Sequence, residues 1–216
     1  MFNKKYKFTE EWFDPVIPLW TELFKQYKHP ITSVLEIGCY EGRATIWVCE
    51  NVLTDSSITY NYDVIDTFGG SLEESGMKGT KERLDEDDFI EDNFKHNISF
   101  FNPWEINFNI HKGFSQVILP TFPKEEKYDF IYIDASHRSD DTFIDAYYAH
   151  NLLKKGGLLI FDDFGWKDPN DDSKVNSPQV GITMFYEFYQ KEYYISFQEY
   201  QVGLIKYTEE ELNERN

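Results

Sequence analysis

At 216 residues the chain has the length of one decorated α/β domain rather than of two separate cores. Its 39 acids against 21 bases leave a net charge of −18, a field that repels phosphate backbones and anionic headgroups and so excludes nucleic acid and membrane surfaces as partners. With 41% hydrophobic and 18% aromatic residues it can fill a packed core, which excludes wholesale disorder.

No apolar stretch approaches the ~20 residues needed to span a bilayer, and Met1 to Lys5 lead into Tyr6, Phe8 and Glu10 without the apolar core of a secretion signal. A soluble, cytoplasmic protein is expected. Cys39 and Cys49 make no CxxC pair and suit a reduced interior. The acids gather in two runs, one between Lys81 and Asp92 and one of Glu209, Glu210, Glu211 and Glu214, and both read as solvated faces.

Residues 9–28 carry Trp12, Phe13, Val16, Ile17, Leu19, Trp20, Leu23 and Phe24 at mostly helical spacing, which predicts a helical cap within 1–30. From Ile31 the texture changes. The apolar run 33–38 ends in glycine and precedes a helical stretch at 44–53, predicting strand, tight turn and helix. Strands are predicted at 58–66, 107–113, 128–134 and 157–163, with helical segments between most of them. A helix at 177–190 and two aromatic-rich strands at 193–200 and 202–207, joined as a hairpin, follow.

This alternation predicts an α/β fold: a doubly wound, Rossmann-like, mainly parallel sheet with a C-terminal antiparallel hairpin and an N-terminal helical cap. It is read as a single domain, 1–216, with its core over 31–207 and an acidic tail at 208–216. Ligands of such sheets bind beyond the carboxyl ends of the strands. The long polar insertions at 69–104 and 165–177 are expected to serve there as lids or substrate-selecting loops.

Glu36-Ile37-Gly38-Cys39-Tyr40-Glu41-Gly42 joins the first strand to its helix, where glycines let a ligand approach the main chain and the helix start offers free N–H groups. Asp66 ends the second strand, where an acid can take the two hydroxyls of a ribose. Gly113-Phe114-Ser115-Gln116 follows the third, with small and amide-bearing side chains suited to a purine edge.

With these residues the chain resembles the class I S-adenosylmethionine-dependent methyltransferases, and among them the small-molecule O-methyltransferases that use a divalent metal. VLEIGCYEG is similar to their glycine-rich first motif, which implies that Glu36, Gly38, Tyr40 and Gly42 embrace the methionine and ribose parts of S-adenosylmethionine, with Asp66 on the ribose. GFSQVILP is similar to the adenine-side segment of catechol O-methyltransferase, which implies adenine contacts from Gly113, Ser115 and Gln116. The macrocin and mycinamicin sugar O-methyltransferases are closest in pattern, since their motifs also run IDxxH and end in a paired acid.

Asp134-Ala135-Ser136-His137 follows the fourth strand and Asp162-Asp163 the fifth. Neighbouring parallel strands bring these ends together, and three carboxylates there repel one another unless they are protonated or given a cation. Mg²⁺ or Mn²⁺ resolves that conflict. The resemblance implies Asp134, Asp162 and Asp163 as metal ligands, with Asp134 also serving cofactor binding and catalysis. It implies His137 as the base that removes the acceptor's proton, since histidine titrates near neutrality. His96, His111 and His150 read as structural or exposed, and Trp166 as a wall of the acceptor pocket or as packing. The expected reaction is methyl transfer to a hydroxyl of a sugar-like small molecule, by a chain compatible with a homo-oligomer. Methylation of a catechol-like phenol and a cofactor-binding module without turnover are the rival readings.

Overall fold

The computed structural model describes residues 2–70, 89–168 and 173–215. Strands β1 (Ser33–Ile37), β2 (Tyr60–Asp66), β3 (Ile106–Lys112), β4 (Tyr128–Ile133), β5 (Leu153–Phe161), β6 (Tyr193–Gln198) and β7 (Val202–Lys206) form one sheet in the order β3-β2-β1-β4-β5-β7-β6. β1 to β5 are parallel, and β7 runs antiparallel to both β5 and β6. The expected fold class is therefore the observed one.

Helices α1 (Ile17–Gln26), α2 (Arg43–Asn51), α3 (Phe89–Ile98), α4 (Ser115–Ile118), α5 (Ser139–Leu152), α6 (Pro178–Tyr189) and α7 (Glu209–Arg215) complete the chain order. Side chains alternate across a strand, so β4 sends Phe130 and Tyr132 into one core with Trp20 and Phe94, and Ile131 and Ile133 into the other with Phe161 and Phe185. All five residues of β1 are buried, as a parallel strand covered on both faces requires.

The expected helix over 9–28 is shorter. A 3-10 turn occupies Asp14–Val16 and α1 begins at Ile17, because Pro15 and Pro18 lack the N–H that a helix interior needs and fit only a first turn. The insertion at 69–104 contains α3, which buries Ile90, Phe94 and Asn97. The acidic tail folds as α7, with no buried residue. β5 stops at Phe161 and leaves Asp162 and Asp163 beyond its end. Residues 71–88 and 169–172, which hold much of the two expected loops and most of the first acidic run, lie outside the described residues. Cys39 and Cys49 are free and buried, and no described helix is long and apolar enough to cross a membrane.

Register sets the functional edge. Ile37 pairs with Ile65 on one side and Ile133 on the other, and Ile133 pairs with Phe161. The next residues extend the ladder: the Gly38 amide donates to the Ile65 carbonyl (2.8 Å), Asp134 to Ile37 (2.8 Å) and Asp162 to Ile133 (2.9 Å). Asp66, Gly38, Asp134 and Asp162 thus stand in one row where the strand order reverses between β1 and β4, the crevice position of open α/β sheets.

Candidate functional site

A cavity of about 620 Å³ opens on Asp66, Gly38 and Asp134 of this row, while Asp162 lies outside its lining. The chain leaves β1 through backbone of positive φ at Gly38 (+83°), Tyr40 (+49°) and Gly42 (+80°). Gly38 is demanded by the sheet itself, since a Cβ there would lie 1.8 Å from the carbonyl oxygen of Asp134. Gly42 is the one expected cofactor residue that does not line the cavity; it stands behind, against the ring of Phe94.

Asp66 closes the turn. Its Oδ2 accepts the amides of Cys39 (2.7 Å) and Tyr40 (2.8 Å), and its Oδ1 accepts that of Phe68 (2.6 Å). A carboxylate offers about four acceptor positions, so three amides leave room for a further donor. Glu36 lies beneath, 1% exposed, with Oε2 accepting the hydroxyls of Thr45 and Tyr62 at 2.7 Å each. Its Oε1 is buried and meets no partner among the described residues. Burial pushes the Glu36 carboxyl up to about 7 in spite of those two bonds.

Gly113, Ser115 and Gln116 form the far wall beyond β3. The near rim comes from the N-terminal segment. The Thr9 amide and Asn93 both donate to the buried Glu41, Asn97 bonds the Lys7 backbone in both directions, and Trp12 packs on Tyr40 with ring centroids 5.2 Å apart.

At the β4 and β5 ends, Asp134 and Asp162 both accept from the Tyr132 hydroxyl, which has one proton to give. Gln201 donates to that oxygen (3.4 Å) and accepts from the Trp20 indole (2.7 Å). Burial, then the charges of Asp162 and Asp163, raises the Asp134 carboxyl well above its usual range. Burial, then Asp163, pushes Asp162 up to about 6. Asp163 itself is left-handed (φ +57°), and its two oxygens go elsewhere: Oδ2 to His137 Nε2 (2.9 Å) and Oδ1 to the Tyr200 hydroxyl (2.8 Å). Trp166 packs on the His137 ring at 4.2 Å.

The three expected metal ligands therefore share an edge without converging, and no trio of His, Cys, Asp and Glu among the described residues is placed to hold a metal ion. The donor set fits a cation in part, because Asp134 and Asp162 are two neighbouring acids that share the single proton of the Tyr132 hydroxyl. Among the other histidines, His96 bonds a Lys5 carbonyl, His111 meets Asp63 and His150 stacks on Tyr189, and none of the three lines the cavity.

Sequence reasoning missed Tyr132, Tyr200, Gln201 and Trp20. Tyr132 had a local signal, since period-two alternation sets it on the same face as Asp134. The others reach the site only through long-range packing.

The family described as "Methyltransferase domain" matches residues 35–164, more than half of the chain. No curated protein matches. Among solved structures, the O-methyltransferase NovP is 14% identical with a TM-score of 0.64, over 88% of this chain and 80% of its own. The O-methyltransferase TomG from Streptomyces achromogenes, involved in tomaymycin synthesis and solved with S-adenosylmethionine, is 16% identical with a TM-score of 0.58, over 90% and 80%. A TDP-rhamnose 3′-O-methyltransferase of calicheamicin biosynthesis is 15% identical with a TM-score of 0.54, over 90% and 81%. At such identities the likeness is one of fold.

Proposed function

The chain belongs to the methyltransferase domain family, and from that premise we propose that it moves the methyl group of S-adenosylmethionine to a hydroxyl of a sugar or other polyhydroxylated small molecule, as one cytoplasmic domain. The observation that carries this reading is the row of Asp66, Gly38, Asp134 and Asp162 at the strand switch, the first three opening on a cavity with His137 in its wall. The solved structures of similar fold include an enzyme named for a sugar acceptor and one solved with S-adenosylmethionine, which supports the same choice.

Bound S-adenosylmethionine would supply a methyl group on a sulfonium, the carbon–sulfur bond breaking in line as the bond to the acceptor oxygen forms. Glu36, with its unmet Oε1, and the turn at Gly38 and Tyr40 take the methionine part; Asp66 takes the ribose; Gly113, Ser115 and Gln116 take the adenine. His137 accepts the acceptor's proton at an imidazole nitrogen, and Asp163 orients the ring and steadies the charge it gains. Asp134 and Asp162 are the residues that would hold a divalent cation, Mg²⁺ or Mn²⁺, which would supply acidification of a bound hydroxyl. Asp163, engaged with His137 and Tyr200, is reassigned here from ligand to orienting acid.

Calorimetric titration with S-adenosylhomocysteine, with and without Mg²⁺, followed by a methyl-transfer screen of glycosides, nucleotide sugars and catechols, tests the reading. Absence of S-adenosylhomocysteine binding removes it. Turnover of catechols alone replaces the acceptor class.

A further inference from the structure

We propose that Asp145 is a positioning residue for the cofactor: it carries a proton, gives it to the Ser115 hydroxyl from behind, and so turns that hydroxyl's own proton towards the purine. The inference rests on the methyltransferase reading, with Gly113, Ser115 and Gln116 as the adenine wall, and adds to it a residue outside the cavity lining.

Asp145 is fully buried on α5, and neither of its carboxyl oxygens meets a hydrogen-bond partner of good geometry among the described residues. It stands one helical turn beyond Asp141 on the same face of the helix, and Asp141 lines the cavity. Ser115, the first residue of α4 and itself buried, lines the same cavity. Its hydroxyl is the one polar group among the described residues whose pull reaches the Asp145 carboxyl. No cation balances this acid. The charged group that bears on it among the described residues is Asp141, of the same sign. The other elements packed on α5 bring apolar side chains to this core: Ile131 and Ile133 from β4, Ile182 and Phe185 from α6, and Leu119 from the turn after α4.

A carboxylate with two unmet oxygens and no counter-charge does not persist in a protein interior. Burial accordingly pushes this carboxyl up to about 7. The neutral acid has one O–H to place, and an orphaned buried donor is rarer than an orphaned acceptor. The Ser115 oxygen takes that proton from behind, which leaves the serine's own proton for the cavity. The ring nitrogens of adenine are acceptors, so Ser115 meets one of them as a donor. Ionisation of Asp145 reverses the direction. The carboxylate then draws the serine proton to itself, and Ser115 turns a lone pair to the ring. The proton on Asp145 therefore strengthens binding, which is tight below about pH 7 and weaker above it. By linkage, the bound cofactor holds that proton more firmly.

The test titrates the full chain calorimetrically with S-adenosylhomocysteine and with its deaza counterparts, in each of which one ring nitrogen of the purine is replaced by CH. Glu36, whose carboxyl is also pushed up to about 7, is placed on the methionine part and acts on all these ligands alike, so the ratio of affinities isolates the adenine end. In the unaltered chain one deaza counterpart should bind at least about fivefold more weakly than S-adenosylhomocysteine at about pH 6, and that ratio should fall below about twofold at about pH 8.5. Asp145→Asn, whose amide N–H donates to Ser115 at either pH, should keep the larger ratio at both. Asp145→Leu, which offers Ser115 nothing, should give a ratio that does not change with pH. The measurements on the unaltered chain stand without either variant. A ratio there that is flat with pH, equal binding of every deaza counterpart in acid, or a ratio in Asp145→Asn that falls as the parent's does, overturns the inference and leaves the methyltransferase reading in place. Failure of S-adenosylhomocysteine itself to bind removes that reading and the inference together.

Discussion

His137 and Asp163 face each other across the ends of β4 and β5 with Nε2 and Oδ2 2.9 Å apart, both side chains largely buried. An acid against an imidazole fixes the ring's tautomer and stabilises its protonated form, the arrangement a general base needs. Tyr200 holds the other oxygen of Asp163 and Trp166 covers the ring, so the imidazole is fixed on several sides.

From this pair, His137→Ala should lower kcat by roughly 10²–10⁴ with S-adenosylhomocysteine affinity nearly unchanged. Asp163→Asn should lower kcat by a similar or smaller factor, about 10–10⁴, while leaving the Mg²⁺ concentration for half-maximal activity where it was. A large rise in that Mg²⁺ requirement would return Asp163 to the ligand set.

Gly38 is predicted to be a folding residue as much as a binding one. With φ at +83° and a Cβ position 1.8 Å from the Asp134 carbonyl, Gly38→Ala should destabilise the fold by at least about 2–4 kcal/mol, measured by denaturant melts. A variant of unchanged stability that merely loses S-adenosylhomocysteine would show that the turn serves ligand approach alone.

The metal proposal predicts that EDTA suppresses turnover, that Mg²⁺ or Mn²⁺ restores it, and that Asp162→Asn raises the metal requirement. Full activity in chelator sinks it, and the acid pair would then bind the acceptor through its shared proton.

Asp145, on α5 and fully buried, gives a pH prediction. Burial pushes its carboxyl up to about 7 against the opposing pull of the Ser115 hydroxyl. The unfolded chain releases this proton near pH 3.9, so the stability it contributes is present in acid and is lost as pH rises from about 4 through about 7. Asp145→Asn removes that slope. Between pH 4.5 and pH 8 the variant should gain roughly 1–4 kcal/mol relative to the parent, read from paired melts. Parallel curves would mean that Asp145 titrates normally.

The parallel strands were legible because each is a short apolar run, and strand-end acids and glycines stand out against such runs. Asp66, Asp134 and Asp162 were legible for the same reason: register carries them to one row. The direction of Asp163 was not, because a single left-handed residue reverses what strand alternation implies. Nor was the Trp20–Gln201 bond, which joins side chains 181 positions apart and depends on α1 packing over the sheet. The start of α1 was written in Pro15 and Pro18, and there the apolar spacing outweighed a signal that was present.

The turn between β6 and β7 supplies Tyr200 and Gln201, which follow every other site residue in chain order. A polypeptide emerging from the ribosome therefore displays its glycine turn, acid pair and imidazole before Tyr200 and Gln201. Asp134 and Asp162 both precede Gln201, so the phenol–amide–indole relay closes only after the turn between β6 and β7 has been made. A truncation that spares the whole matched stretch 35–164 but stops before Tyr200 would keep the parts of the machinery without their alignment.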